Sequence, residues 1–154
     1  MRAARGRRAA ARGFTLIELL VTIVVAGVIL SMLSLGGTGS AERALRFEAE
    51  RVAQLLSLAR EEAQVLGAPI RFEVDSARYR FLIRQDRQWR PIADRDLRER
   101  AWEQPTRVRI ERADGRPVVE FGRDAVDIPF VLRLSRDADT VAIAANGLGA
   151  FEVR

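Results

Sequence analysis

Cysteine, histidine and lysine are all missing from the 154 residues. Without cysteine there is no disulfide framework and no thiol nucleophile. Without histidine there is no Ser-His-Asp triad, and the two absences together exclude ordinary zinc sites. Charge is scarce in one long stretch as well: between Phe14 and Leu35 the sole ionisable side chain is Glu18. The formal net charge of +5 is also local in origin. Arg2, Arg5, Arg7, Arg8 and Arg12 stand in an amino-terminal segment with no acid, and beyond it 21 arginines face 21 acidic residues. Such a balance leaves no broad basic footprint for nucleic acid.

What is present begins with the Arg-rich segment and the apolar run behind it. As a helix rising about 1.5 Å per residue, Phe14 to Leu35 extends roughly 33 Å, enough to cross a hydrocarbon core. The arginines before it stay on the cytoplasmic side, which sends the rest of the chain across the membrane. A cleaved secretory signal fits less well. The run is long for such a signal, carries Glu18 near its start, and lacks a small-x-small cleavage site. An acid within a span costs on the order of 3 kcal/mol at the bilayer centre and less near an interface, so Glu18 is a candidate functional residue.

Gly13-Phe14-Thr15-Leu16-Ile17-Glu18, between a basic leader and an apolar run, resembles the processing and assembly signature of type IV pilins and type II secretion pseudopilins. The resemblance implies that a membrane prepilin peptidase cuts between Gly13 and Phe14. It also implies that Phe14 becomes the N-methylated terminus and that Glu18 sets axial register by meeting the amine of a neighbouring subunit. The electrostatics of that pairing stand separately. A free α-amine on Phe14 is protonated near neutral pH, and an amine and a carboxylate in low dielectric attract strongly, whereas either alone is penalised. Glu18 lies one helical turn from Phe14, so its own amine is a second candidate partner. The helix N-terminus favours the carboxylate by roughly 0.3–1 kcal/mol.

Past the apolar run, Gly36, Gly37 and Gly39 are expected to loosen the helix, and Ser40 to restart it as an N-cap. Leu45, Ala49, Val52, Leu56, Ala59, Ala63 and Leu66 then recur in steps of four and three, giving one apolar stripe, with Glu42 and Arg46 as an i,i+4 pair. Gly67 and Pro69 end this helix. From Ile70 the period becomes two. Ile70–Val74 and Tyr79–Ile83 form a hairpin, Asp86-Arg87 turns the chain, and Trp89–Ile92 is a short strand. Asp94–Trp102 reads as loop or helical turn. Thr106–Arg112 and Val118–Phe121 are expected to pair across Asp114-Gly115, and Phe130–Ser135 with Thr140–Ala144. Asn146-Gly147 turns into Ala150–Val153. The expected fold is α+β and pilin-like: a long N-terminal transmembrane and amphipathic helix packed on an antiparallel β-sandwich head of seven or eight strands.

Tyr79 and Phe81, Trp89 and Pro91, Leu97-Arg98 and Trp102, Phe121-Gly122, Pro129-Phe130 and the Asn146-Gly147 turn, in that order, are similar to the minor pseudopilin of the H type. The minor pilins of the T and U types in type IV pili have the same layout and are the alternative, with pilus assembly or DNA uptake as their role. A signal-anchored periplasmic enzyme or binding module is the third reading. The implied organisation is a cleaved leader (1–13), a transmembrane half-helix (14–35), a periplasmic amphipathic half-helix (36–67) and a periplasmic β-rich head (68–154). The implied protein is a structural subunit of a pseudopilus tip in the inner membrane, helping to export folded proteins. Its partners are the prepilin peptidase, other major and minor pseudopilins and the inner membrane. No catalytic residue, cofactor, metal, nucleic acid or small-molecule substrate is expected. Asp137 and Asp139 read as a solvated turn more than a calcium loop. Glu61, Glu62, Asp94, Asp96 and Glu99 read as ion-paired surface more than a general acid and base. Trp89 and Trp102 read as core or subunit-contact aromatics more than a stacking platform.

Overall fold

The computed structural model describes residues 15–154, without the side chains of residues 32–38. Gly13 and Phe14 lie outside the described residues, as does the rest of the expected leader. One helix, α1 (Leu16–Leu66), opens the described chain. It runs unbroken through Gly36, Gly37 and Gly39, which were expected to loosen it, and through Ser40, which is therefore interior to the helix and not the expected N-cap. Each glycine weakens a helix by about 1 kcal/mol, but adding a turn to an existing helix needs no new nucleation. Contacts divide the chain into two units, Met1–Gly39 and Ser40–Arg154.

In the second part, Leu45, Ala49, Val52, Leu56, Ala59 and Ala63 are fully buried, the expected stripe. Leu66 is not, being 50% exposed. The helix ends on it, Gly67 takes a positive φ of 61°, and the chain turns away toward β1. Arg46 pairs forward with Glu50 at 3.3 Å, not backward with Glu42.

Nine strands among the described residues form two antiparallel sheets. The first contains β1 (Ile70–Val74), β2 (Arg78–Gln85), β3 (Gln88–Pro91), β4 (Arg100–Ala101) and β6 (Val119–Phe121), in the order β3-β2-β1-β6 with β4 beside the start of β2. The second runs β5 (Arg107–Arg112), β7 (Phe130–Arg136), β8 (Asp139–Ala145) and β9 (Phe151–Val153). Phe72 faces Phe81 across the first hairpin, and Leu132 faces Ile143 across the β7–β8 hairpin. Alternate residues of both sheets join the helix stripe in one apolar cluster.

One expected pairing is wrong. Asp114-Gly115 does turn the chain, with Gly115 N–H donating to the Arg112 carbonyl at 3.0 Å and a φ of 70°. Yet β6 does not pair back on β5. It crosses to the first sheet, where Phe72 faces Val119 and Ile70 faces Phe121. Strand β5 pairs with β7 instead. Alternation says that Val119 and Phe121 point inward; a sandwich has two sheets whose inner faces satisfy that pattern equally. Asp94–Trp102 is loop with the two-residue β4 at its end, anchored by fully buried Leu97.

Polar chemistry fixes the helix on the sandwich at one buried point. Glu48 and Arg136 are both nearly inaccessible and form an ion pair. The other oxygen of Glu48 accepts the Glu103 N–H at 2.8 Å. Arg136 Nε donates to the Thr106 hydroxyl at 2.7 Å, and that hydroxyl donates to the Gln104 carbonyl at 2.9 Å. Burial pulls the Arg136 guanidinium below its ordinary pKa, but that ordinary value lies so far above neutrality that the group stays charged beside Glu48.

Removing one partner strands the other's charge in the core, at a cost of about 3–5 kcal/mol. Arg136→Met should therefore lower the unfolding free energy by that amount in urea titrations, and Glu48→Met added to it should recover most of the loss. A double variant no more stable than Arg136→Met would show that the pairing is not what matters. At acid pH a separate weakening is expected. The Ala77 and Arg78 N–H groups hold the Asp75 carboxyl below its usual range, and the Arg112 guanidinium does the same to Asp114. Carboxylates lowered on folding stabilise above their unfolded pKa, and that stability is lost as pH falls through the folded one. Chemical denaturation between about pH 5 and pH 2 should show the loss, and Asp75→Asn should make it smaller.

Candidate assembly surface

The first turn of α1 carries the described part of the expected signature. Thr15 precedes the helix, and its hydroxyl accepts the Glu18 N–H at 3.3 Å while its carbonyl accepts the N–H groups of Glu18 and Leu19 at 3.1 and 3.2 Å. Thr15 is thus the N-cap and Glu18 the third helical residue, the spacing of a capping box. Thr15-Leu16-Ile17-Glu18 could have been read from sequence as that start signal, and was not. It gives Glu18 a local role, an acid in the first turn of a helix, besides any role between subunits.

Around Glu18 the helix surface is apolar except for Thr15 and Thr22, one turn before and after it. Leu16, Ile17, Leu19, Leu20, Val21, Ile23, Val24 and Val25 are each at least half exposed, and consecutive helical positions cover the whole circumference. A helix apolar all round needs apolar surroundings on all sides. The hydroxyls inside it satisfy themselves: Thr22 donates to the Glu18 carbonyl at 2.7 Å and Ser31 to the Gly27 carbonyl at 2.9 Å. Among the described residues no helix is long and apolar enough to cross a membrane. The expected span 14–35 reaches past them, since Phe14 and the side chains of 32–35 lie outside the description.

On the head, the second half of α1 is clasped by the loop between β6 and β7. Arg60 Nε meets Asp127 Oδ2 at 2.7 Å and its Nη2 donates to the Ala125 carbonyl. Arg123 Nε donates to the Gly67 carbonyl at 2.6 Å. The same loop touches the Asn146-Gly147 turn, where Asp127 N–H donates to the Gly147 carbonyl at 2.8 Å. Asn146 Oδ1 accepts the N–H groups of Leu148 and Ala150, closing the turn into β9 as expected.

The acids expected to be ion-paired surface are so only in part: Glu61 accepts the Ser57 hydroxyl at 3.4 Å instead. Glu99 pairs with Arg78 and Arg80, and Asp94 accepts the N–H groups of Asp96 and Leu97. Among the described residues no cluster of acids is arranged to hold a metal ion. Trp102 is in the core against Tyr79, ring centroids 4.7 Å apart, with its Nε1–H on the Asp75 carbonyl. Trp89 lies on the outer face of the first sheet beneath the Arg71 guanidinium, 4.0 Å from the ring centre.

A capped apolar helix continuing into a stripe that packs on an antiparallel sandwich defines a pilin-like subunit, and comparison with known proteins agrees. The prokaryotic N-terminal methylation motif matches residues 8–34. The family described as Type II transport protein GspH matches residues 48–149. Type II secretion system protein H of Pseudomonas aeruginosa is 34% identical over 137 residues, covering 82% of this chain and 77% of that protein. Two structures of the minor pseudopilin EpsH from the type II secretion system of Vibrio cholerae have the same fold. They superpose with TM-scores of 0.59 and 0.61 at 19% and 18% identity, covering 71% and 73% of this chain and 95% and 94% of theirs. The chain belongs to the type II transport protein GspH family and is a minor pseudopilin of type II secretion.

Gly147 tests the clasp. Its φ is 78°, and a Cβ there would collide with the Asp127 carbonyl oxygen. Gly147→Ala should cost more than about 1 kcal/mol in thermal unfolding, whereas Gly122→Ala, which meets nothing within 4 Å, should change little.

Proposed function

We propose that this pseudopilin matures by cleavage between Gly13 and Phe14 and N-methylation of Phe14, and that Glu18 then aligns it with a neighbouring subunit. In this reading residues 14–35 span the inner membrane once, with the leader cytoplasmic and the head periplasmic. The protein joins other pseudopilins in the tip of a periplasmic pseudopilus that helps export folded proteins. It acts as a structural subunit without catalysis. The observation that carries this is Glu18 itself, the one ionisable side chain between Phe14 and Leu35, set among exposed apolar side chains. A lone carboxylate there is penalised, and a newly freed ammonium on an adjacent helix removes the penalty. Assembly thus draws the helix from lipid into contact with like helices while pairing both charges.

Two variants test the steps separately. Gly13→Ala should leave the chain at its full mass in membrane extracts, because a Cβ obstructs the peptidase; a trimmed chain would refute the processing step. Glu18→Gln keeps the capping-box geometry but not the charge, so it should be processed normally and crosslink poorly to partner pseudopilins. Crosslinking at the wild-type level would leave Glu18 only its local role in starting the helix.

A further inference from the structure

Both sheets have outer edges, and most of them are defended. Strand β5 carries four charged residues among its six, β3 ends in Pro91, and β6 follows Pro117, with the Arg112 guanidinium donating to the Val118 carbonyl just before it. Charges and prolines at such positions keep a stray strand from pairing. Strand β9 differs, with no proline and with only Glu152 between Phe151 and Val153. Its pairing on one side is fixed. Ala142 and Arg154 exchange both N–H to carbonyl bonds, at 2.9 and 2.8 Å, and the Asn146 N–H donates to the Ala150 carbonyl at 3.2 Å. An antiparallel ladder alternates, so Ala150, Glu152 and Arg154 turn their backbone groups toward β8, while Phe151 and Val153 turn theirs away. Those outward N–H and C=O groups have no hydrogen-bond partner among the described residues. They open on a groove of about 460 Å³ between β9 and α1, lined by Phe151 and Val153 on one side and Ala53, Gln54 and Ser57 on the other. Leu148, just before β9, is 67% exposed.

We infer that the β9 edge takes an extended segment of a neighbouring pseudopilin as one further strand of the second sheet. That segment has apolar residues at alternate positions and a basic residue between two of them. The unpaired groups of Phe151 and Val153 call for an extended backbone, which supplies donors and acceptors at the spacing of a ladder. Alternate side chains of the segment then point into the groove, on the same face as Phe151 and Val153, which pack against the core. The residues between them point outward, level with Glu152. Glu152 is exposed and paired with Arg154 at 2.8 Å, a surface contact that contributes little. A cation directly across the ladder gives it a second, cross-strand partner. The same charge argues against a second copy of this chain, because two β9 strands overlapped along their whole length set Glu152 against Glu152. The turn before β9 holds the edge ready: Asn146 Oδ1 already accepts the Leu148 and Ala150 N–H groups, so little ordering is left for binding. The inference rests on the pseudopilin reading only in naming the partner, and it involves neither the leader nor Glu18.

The test uses the full chain in detergent micelles and a labelled heptapeptide, Val-Thr-Val-Arg-Val-Thr-Val, followed by fluorescence anisotropy. Its central Arg should lie across from Glu152, and its third and fifth residues across from Val153 and Phe151. Methylating the backbone nitrogens of the third and fifth residues removes the donors that face β9 and should weaken binding about tenfold. Methylating those of the fourth and sixth, which face away, should leave it nearly unchanged. Glu152→Arg should weaken this peptide and favour a counterpart with Glu at its centre. Glu111→Arg, on β5 at the opposite edge of the same sheet, should do neither. Absence of saturable binding would overturn the inference, as would equal losses from the two methylation patterns or indifference to the charge at Glu152. Dimers of the chain alone, seen by analytical ultracentrifugation and dissolved by the peptide, would also reject it and assign the edge to a second copy. The purified chain meets the peptide without processing or assembly, so failed docking here and failed maturation in cells are told apart.

Discussion

The ion pair between Glu48 and Arg136 is the constraint on which the head depends. The buried stripe of α1 is rich in alanine, which lets a helix approach a sheet closely but offers few features to define its position. A smooth stripe of this kind would pack almost as well after a slip of one turn. Glu48 removes that freedom, because its two oxygens answer donors on separate segments, the Glu103 N–H and the Arg136 side chain. Any other register buries a carboxylate without partners, which is far worse than a poorer hydrophobic fit. Arg136 in turn holds Thr106 at the threshold of β5. One buried charge pair therefore ties the helix, a loop and the second sheet into a single arrangement.

The two parts of α1 meet different demands with one backbone geometry. Near Leu16 to Leu30 the helix has no polar face and its hydroxyls turn back on its own carbonyls. Beyond Ser40 it has one apolar stripe, flanked by Arg46, Glu50 and Arg60. Helical hydrogen bonds are satisfied within the segment, so the same backbone serves in either environment and only the side-chain pattern differs. Glu18 is conspicuous because it obeys the second pattern while standing in the first.

Much of this was legible in the residues, for identifiable reasons. Period and turn chemistry were enough for the hairpins 70–83 and 130–144 and for the Asn146-Gly147 turn, since each depends on neighbours in the chain. The partner of β6 was not legible, because alternation specifies a face and not the strand beside it. Glu48 escaped notice for the opposite reason: next to Ala49 it looks like one more acid on the flank of a stripe. Its burial follows from Arg136, far away in sequence. Glu18 was found early because nothing else near it is charged. The capping role of Thr15 was available from the same residues and overlooked.

The crossing of β6 has a further consequence. The first sheet is complete only once residues 119–121 arrive, by which time β5 of the second sheet has already passed, and β5 must wait for β7 at 130–136. The two sheets are therefore interleaved along the chain, and neither can close as an independent early unit. Contacts of such long sequence separation slow folding and make it strongly cooperative. A polypeptide emerging from its amino end could form α1 and its hairpins early, but would complete neither sheet until nearly its whole length was available.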